Sequence, residues 1–110
     1  MSRHLLRCAC EGRELVVVAG YDRPLRELYL RVVRETDTLP QQGEETVYDS
    51  LGESGLDWTD INTLADKLAA LGIEPPASLM DGIFLDQCFN AGNRIVEHHI
   101  DRPPVVLHAG

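Results

Sequence analysis

A chain of 110 residues with 44% hydrophobic composition is long enough to form one globular domain around a single core. Its longest uninterrupted apolar run, residues 15–19, is far shorter than the roughly 18 residues that a membrane-spanning helix needs. Arg3 and Arg7 interrupt the N-terminal region, where a signal peptide would be apolar. We therefore expect a cytoplasmic protein.

The net charge of −8 is unevenly distributed along the chain. Residues 1–34 carry seven arginines against four acidic residues, a balance of +3. Residues 35–86 carry twelve acidic residues against Lys67, a balance of −11. A strongly negative face repels nucleic acid and attracts basic partners, although acidic residues also serve solubility alone. The nine arginines to one lysine favour a GC-rich bacterial source.

The first 34 residues predict three strands. Apolar alternation over residues 3–10, a turn at Glu11 and Gly12, and a second strand over residues 13–20 indicate an antiparallel hairpin. The second strand is apolar on both faces, which is typical of a central strand and favours a homodimer through the sheet. After a turn that contains Pro24, residues 28–33 form the third strand.

Two polar connections, residues 36–45 and 50–57, flank a short fourth strand over residues 46–49. Loops often carry binding residues, so these connections are candidates for a partner-binding surface. Trp58 follows the second connection, where it either packs the helix start against the core or anchors a partner. The candidate partner-binding residues are Glu44, Glu45, Asp49, Glu53, Asp57 and Trp58.

Two helices are predicted next. Apolar residues spaced by three and four over residues 61–71 indicate the first helix, with Asp57 or Thr59 as its cap and Gly72 as its end. The second helix starts at residue 76 or 77 and runs to about residue 90. Its candidate core residues are Leu79, Ile83 and Phe84.

A closing strand is predicted over residues 93–100. His98 and His99 are consecutive in it, so their side chains point to opposite faces and cannot act on one ligand together. Residues 105–110 form either a frayed C-terminal tail or an added edge strand.

The order ββββααβ predicts an α+β fold, with an antiparallel sheet of four to five strands and both helices packed on one face. We interpret residues 1–104 as a single domain and residues 105–110 as the tail.

The three cysteines, Cys8, Cys10 and Cys88, are an odd number without repeated spacing, so we expect reduced thiols. Zinc would need about four ligands, and a C-x-C pair on a strand matches known zinc patterns poorly, even with His4, His98 or His99 nearby. Cys88 lies near a helix end, where the dipole disfavours a thiolate. We therefore predict no metal, no cofactor and no catalytic residue.

No glycine-rich phosphate loop or catalytic constellation occurs in the sequence. We predict a small acidic, non-enzymatic protein that binds another protein as an adapter, regulator or inhibitor. Three alternatives stay open. They are a phage- or plasmid-derived inhibitor whose acidic surface mimics nucleic acid, a nucleic-acid binder that uses the arginine-bearing sheet, and a small-molecule-binding domain with its pocket between sheet and helices.

Overall fold

The computed structural model describes residues 2–10, 13–35, 44–53 and 55–109, which form an α+β fold with a six-stranded mixed sheet and two α-helices. The strands are β1 (Ser2–Cys10), β2 (Arg13–Asp22), β3 (Glu27–Glu35), β4 (Glu44–Asp49), β5 (Arg94–His98) and β6 (Val105–Ala109). The helices are α1 (Ile61–Ala70) and α2 (Ala77–Cys88), and a 3₁₀ turn covers Ser50–Gly52. Neither α-helix is long and apolar enough to cross a membrane.

The strand order across the sheet is β4-β3-β2-β1-β5-β6. The hairpin of β1 with β2 and the pairing of β2 with β3 are antiparallel, as predicted. The prediction of four to five antiparallel strands is wrong in two respects, because β1 and β5 pair in parallel and a sixth strand is present. The chain reaches β5 only after α1 and α2, and parallel neighbours require such a long connection rather than a hairpin.

The sixth strand, β6, lies at the edge of the sheet and pairs with β5. Val105–Ala109 therefore adopts the second of the two predicted alternatives, an added edge strand. Its apolar residues Val105, Val106 and Leu107 are each about half exposed. At the opposite edge, β4 starts two residues earlier than predicted, at Glu44.

Alternation along the strands separates the two faces of the sheet. Buried side chains from β1, β2 and β3, including Leu6, Val17 and Leu30, meet buried residues of both helices. The helices contribute Leu64, Leu68, Leu79 and Ile83. Full burial of each such side chain stabilises the fold by roughly 1.5–3 kcal/mol. The prediction that Phe84 belongs to this core is wrong, because it follows Ile83 by about 100° around α2 and is 47% exposed.

Capping interactions define both ends of α1. Asp60 is the N-cap, and its carboxylate accepts a hydrogen bond from the Asn62 N–H at 2.9 Å, so neither Asp57 nor Thr59 caps this helix as predicted. At the other end Gly72 adopts a φ of 78°, and the Ile73 N–H donates to the Leu68 carbonyl at 2.9 Å. The predicted glycine stop is confirmed, and Ile73 is returned to the core.

Candidate functional site

The two faces of the sheet differ in what covers them. Helix α1 packs on β3, and α2 packs on β1 and β2. Residues that alternate with the buried core positions, such as Leu5 and Val18, point to the other face and are only partly buried. Neither α-helix packs on this second face, which is defined here as the open face. It comprises Arg3, Leu5, Arg7, Val16, Val18, Tyr29, Arg31, Ile95 and Glu97.

Cross-strand pairing fixes the layout of the open face. One row of paired residues runs across five strands, from β5 to β4, in the order Glu97, Leu5, Val18, Arg31 and Asp49. Paired residues in such a row have Cβ atoms about 5 Å apart. Apolar side chains therefore occupy the middle of the row, and charged side chains occupy both ends.

A hollow of about 460 Å³ lies on the open face. Its apolar lining comes from Leu5, Val18, Leu51 and Ile95, and its charged lining from Arg3, Arg31, Asp22 and Asp49. The two carboxylates are engaged locally, since Asp49 accepts from the Leu51 N–H at 3.0 Å and Asp22 from the Leu25 N–H at 3.3 Å.

The two guanidinium groups of the hollow differ from its carboxylates. Arg3 and Arg31 are exposed, and among the ion pairs of residues 2–10, 13–35, 44–53 and 55–109 neither takes part in one. The hollow therefore combines an apolar lining with two guanidinium groups that form no ion pair with a described residue.

Tyr29 forms a fixed wall of this hollow. It pairs with Gly20 across the sheet, and its hydroxyl donates to the Ser2 carbonyl oxygen at 2.6 Å. A Cβ at position 20 would lie 2.2 Å from that same oxygen, so only glycine allows the close approach. Burial raises the pKa of Tyr29 to about 12, against the opposing charge of Arg3. The phenol therefore stays neutral and remains a donor.

A chain of polar side chains lies on the opposite, helix-covered face and is defined here as the relay: Ser78, His98, His4, Asp86 and Arg94. Ser78 Oγ is 3.0 Å from His98 Nδ1, and His98 Nε2 is 2.7 Å from His4 Nδ1. His4 Nε2 lies 2.5 Å from Asp86 Oδ2, and Arg94 Nη1 donates to Asp86 Oδ1 at 2.9 Å. His4, Asp86 and His98 are 0%, 2% and 3% exposed.

Three elements bring the relay together. His4 on β1 and His98 on β5 share the covered face of two parallel strands, and their rings stack with centroids 5.0 Å apart. Ser78, Gly82 and Asp86 recur every four residues and therefore lie along one side of α2. Because Gly82 has no side chain, this side of the helix can approach the His4 ring closely.

The charges within the relay follow from these contacts. Burial alone would raise the pKa of Asp86, but hydrogen bonds from His4 and Ser2 and the charge of Arg94 outweigh it and hold the pKa below its usual range. Burial and the neighbouring charges of His4 and Arg94 lower the pKa of His98 from 6.5 to about 4. At neutral pH, Asp86 is thus ionised and His98 is neutral.

Replacing Gly82 with alanine should destabilise the protein by about 1–3 kcal/mol, the usual cost of overpacking, although alanine normally favours a helix. The new Cβ would lie 2.9 Å from His4 Cε1 and 3.3 Å from its Nδ1. Urea denaturation followed by circular dichroism measures the loss. The Gly52→Ala variant is the matched control, because a Cβ there meets nothing within 4 Å. Equal stability of the two variants would contradict the tight packing.

No family model, curated protein or solved structure matches this chain. Its function is therefore inferred from the open face, the relay and the residues singled out in the sequence.

The carboxylates predicted to bind a partner are largely used within the chain. Glu53 forms an ion pair with Lys67 at 3.1 Å and accepts a hydrogen bond from the Tyr48 hydroxyl. Asp57 accepts from the Thr59 N–H at 3.0 Å, and Asp49 holds the 3₁₀ turn. Among the candidates whose side chains the structure describes, Asp49 lines the hollow on the open face, and Glu53, Asp57 and Trp58 do not.

Trp58, the sixth candidate, is 8% exposed and belongs to the core cluster. Its carbonyl oxygen accepts a hydrogen bond from the Leu28 N–H at 2.7 Å, which ties the segment before α1 to β3. It therefore packs the helix start against the core, the first of the two predicted alternatives. The backbones of Glu44 and Glu45 belong to β4, whereas their side chains lie outside the described part of the structure.

The cysteines and histidines are only partly brought together. Cys8 packs against the core, Cys88 is exposed at the end of α2, and the side chain of Cys10 lies outside the described residues. Over the described ranges, no three His, Cys, Asp or Glu side chains converge as metal ligands would. The prediction that His98 and His99 face opposite sides is confirmed, since His98 joins the relay and His99 pairs with Glu97 on the open side.

Sequence reasoning missed the relay, although two weak signals were present. His4 shares the apolar, inward face of its alternating strand with Leu6. Asp86 falls in the same helical stripe as Leu79 and Ile83. A polar residue inside an apolar stripe is informative because it must find a hydrogen-bond partner when buried.

Proposed function

We propose that this chain is a small non-enzymatic binding protein of the cytoplasm, and that its open face docks a protein segment in which carboxylates flank apolar side chains. The observation that carries the proposal is the hollow of about 460 Å³, where an apolar lining lies beside two guanidinium groups without an ion pair among the described residues.

The chemistry of the hollow specifies the segment. A guanidinium presents a planar fork of donors that matches a carboxylate, so Arg3 and Arg31 favour acidic side chains. Arg3 on β1 and Arg31 on β3 are two strands apart and offset by two residues along the strands, so their Cα atoms are roughly 12 Å apart. A segment that engages both guanidiniums therefore needs two carboxylates about that far apart. Apolar side chains between them would cover Leu5 and Val18.

The alternatives fit the open face less well. Nucleic acid would also bind the arginines, but it carries a negative charge at every nucleotide, so a net charge of −8 repels it more strongly than a segment with two carboxylates. A basic partner would need free carboxylates, whereas Asp49, Glu53 and Asp57 are engaged within the chain. A homodimer through the sheet stays a separate prediction.

Selection of a random peptide library displayed on phage tests the docking proposal. We expect peptides with two acidic residues around an apolar centre to be enriched on the wild-type protein. The Arg3→Glu/Arg31→Glu variant should bind these peptides at least about tenfold more weakly, which corresponds to about 1.4 kcal/mol. Fluorescence anisotropy with labelled peptides measures the change in Kd.

The matched control is Arg102→Glu, which reverses one exposed charge on the turn between β5 and β6. Its affinity for the peptides should equal that of the wild type. Enrichment of basic peptides, or an equal loss in the control, would refute the proposed partner chemistry. Tight binding of single-stranded DNA that the double variant loses would favour the nucleic-acid alternative instead.

A further inference from the structure

The carboxylate at the inner end of the relay places one hydrogen atom, the one on His4 Nε2. An ionised carboxylate only accepts hydrogen bonds, so the proton between His4 Nε2 and Asp86 Oδ2 belongs to the imidazole. In the tautomer that carries the His4 proton on Nε2 alone, His4 Nδ1 accepts a hydrogen bond from His98 Nε2 at 2.7 Å. His98 Nδ1 is then also bare, and it accepts the hydroxyl proton of Ser78 at 3.0 Å.

Ser78 is the point where this ordered chain of donors reaches the surface. His4, Asp86 and His98 are nearly fully buried, whereas Ser78 is partly exposed. Ser78 also lies in the first turn of α2, and its N-cap, Pro76, makes no side-chain hydrogen bond to that turn. The uncapped positive end of the helix dipole therefore lies beside the hydroxyl, where it favours negative charge.

We propose that Ser78 is a nucleophilic serine that accepts an acyl group from an activated carboxylic ester. A hydroxyl that donates to an imidazole, which a second group orients, is the arrangement that activates serine for acyl transfer. Here His98 is the base, and His4 and Asp86 orient it. The inference goes beyond docking on the open face, because the relay lies on the other side of the sheet.

The proposed step balances without a further reactant. Ser78 Oγ attacks the ester carbonyl carbon and forms a bond to it, while the hydroxyl proton moves to His98 Nδ1. The His98 Nε2 proton moves to His4 Nδ1, and the resulting His4 imidazolium is held against Asp86. When the bond to the alcohol oxygen breaks, the two protons return along the same path and the leaving alkoxide takes the one from His98 Nδ1. The products are acyl-Ser78 and the free alcohol.

The experiment uses p-nitrophenyl acetate and the full chain. Release of p-nitrophenolate is followed by absorbance, and mass spectrometry of the digested protein locates the acetyl group. We expect one equivalent of release with acetylation at Ser78. The rate should be at least about 100-fold higher than for a synthetic peptide of residues 74–82, because that peptide contains the serine without the imidazole.

Three variants test whether acetylation occurs at Ser78 and depends on the relay. Ser78→Ala should abolish the acetylation, and Ser50→Ala should leave it unchanged, because the Ser50 hydroxyl accepts from the Leu30 N–H and has no imidazole partner. His98→Gln keeps a hydrogen-bonding side chain but cannot take up the proton, so it should slow acetylation about 100-fold. Circular dichroism establishes that each variant is folded.

The comparison with the peptide keeps the proposal testable even if His98→Gln does not fold. Acetylation of Ser78 in the wild-type protein at the rate of the peptide would overturn the proposal. Acetyl groups confined to Lys67 or His99 would overturn it as well.

Discussion

Replacing Asp86 with alanine should destabilise the protein by about 1–3 kcal/mol, the usual cost of leaving a buried hydrogen-bonding group without its partner. The variant would leave His4 without an acceptor at Nε2 and would leave the Arg94 guanidinium without its carboxylate. His4 is completely buried, so water cannot replace the lost partner. Urea denaturation at pH 7, followed by circular dichroism, measures the change in the free energy of unfolding.

Asp81→Ala is the matched control, because Asp81 is exposed on the same helix. Its free energy of unfolding should stay within about 0.5 kcal/mol of the wild type, as for most surface substitutions. If Asp86→Ala were as stable as this control, the ion pair and the hydrogen bond to His4 would contribute nothing to the fold.

Acidification from pH 7 to pH 4 should remove about 3 kcal/mol of stability through His98 alone, since each unit of pKa difference corresponds to about 1.4 kcal/mol. The pKa of His98 is about 4 in the folded protein, against the ordinary histidine value of 6.5 that applies to the unfolded chain. As the pH falls below 6.5, the unfolded chain therefore binds a proton that the folded protein does not. The contribution is fully present above pH 6.5 and is lost progressively down to about pH 4.

Asp86 adds a second loss at lower pH. Its pKa is held below 3.8 in the folded protein, so its contribution is present above pH 3.8 and disappears as the pH falls through the lower, folded value. Urea denaturation midpoints measured at several pH values between 7 and 4 report the contribution of His98 to stability, because the contribution of Asp86 is lost at lower pH. His98→Gln should flatten the profile, whereas His99→Asn should change it only slightly, because burial, His4 and Arg94 lower the pKa of His98 more than His99 does. A wild-type profile that is flat over this range would contradict the assignment of His98.

The sequence was sufficient where the determining interactions are local. The hairpin of β1 and β2 follows from alternation and a two-residue turn, and the end of α1 follows from Gly72. These features depend on residues within a few positions of one another, so periodicity and turn chemistry predict them. The start of α1 was harder to predict, because Asp57, Thr59 and Asp60 are all good capping residues. The backbone conformation makes Asp60 the N-cap.

The relay and the parallel pairing of β1 with β5 could not be predicted in this way. His4 meets Asp86 and His98 across 82 and 94 positions of sequence, and no local pattern specifies which distant strand will lie beside β1. The sequence also did not predict which face of the sheet stays open. Alternation places Leu5 and Val18 on one side without indicating which side the helices cover. Tertiary packing decided both questions.

The relay joins residues that are far apart in the sequence, and this separation affects how the newly made chain folds. During synthesis, β1 leaves the ribosome long before its partners, and until residue 98 has emerged His4 has neither the His98 ring nor a neighbouring β5 to pair with. Before α2 and β5 pack on β1, the face of β1 that carries His4 is open to water. The contacts of the relay therefore form only after residue 98 has been translated.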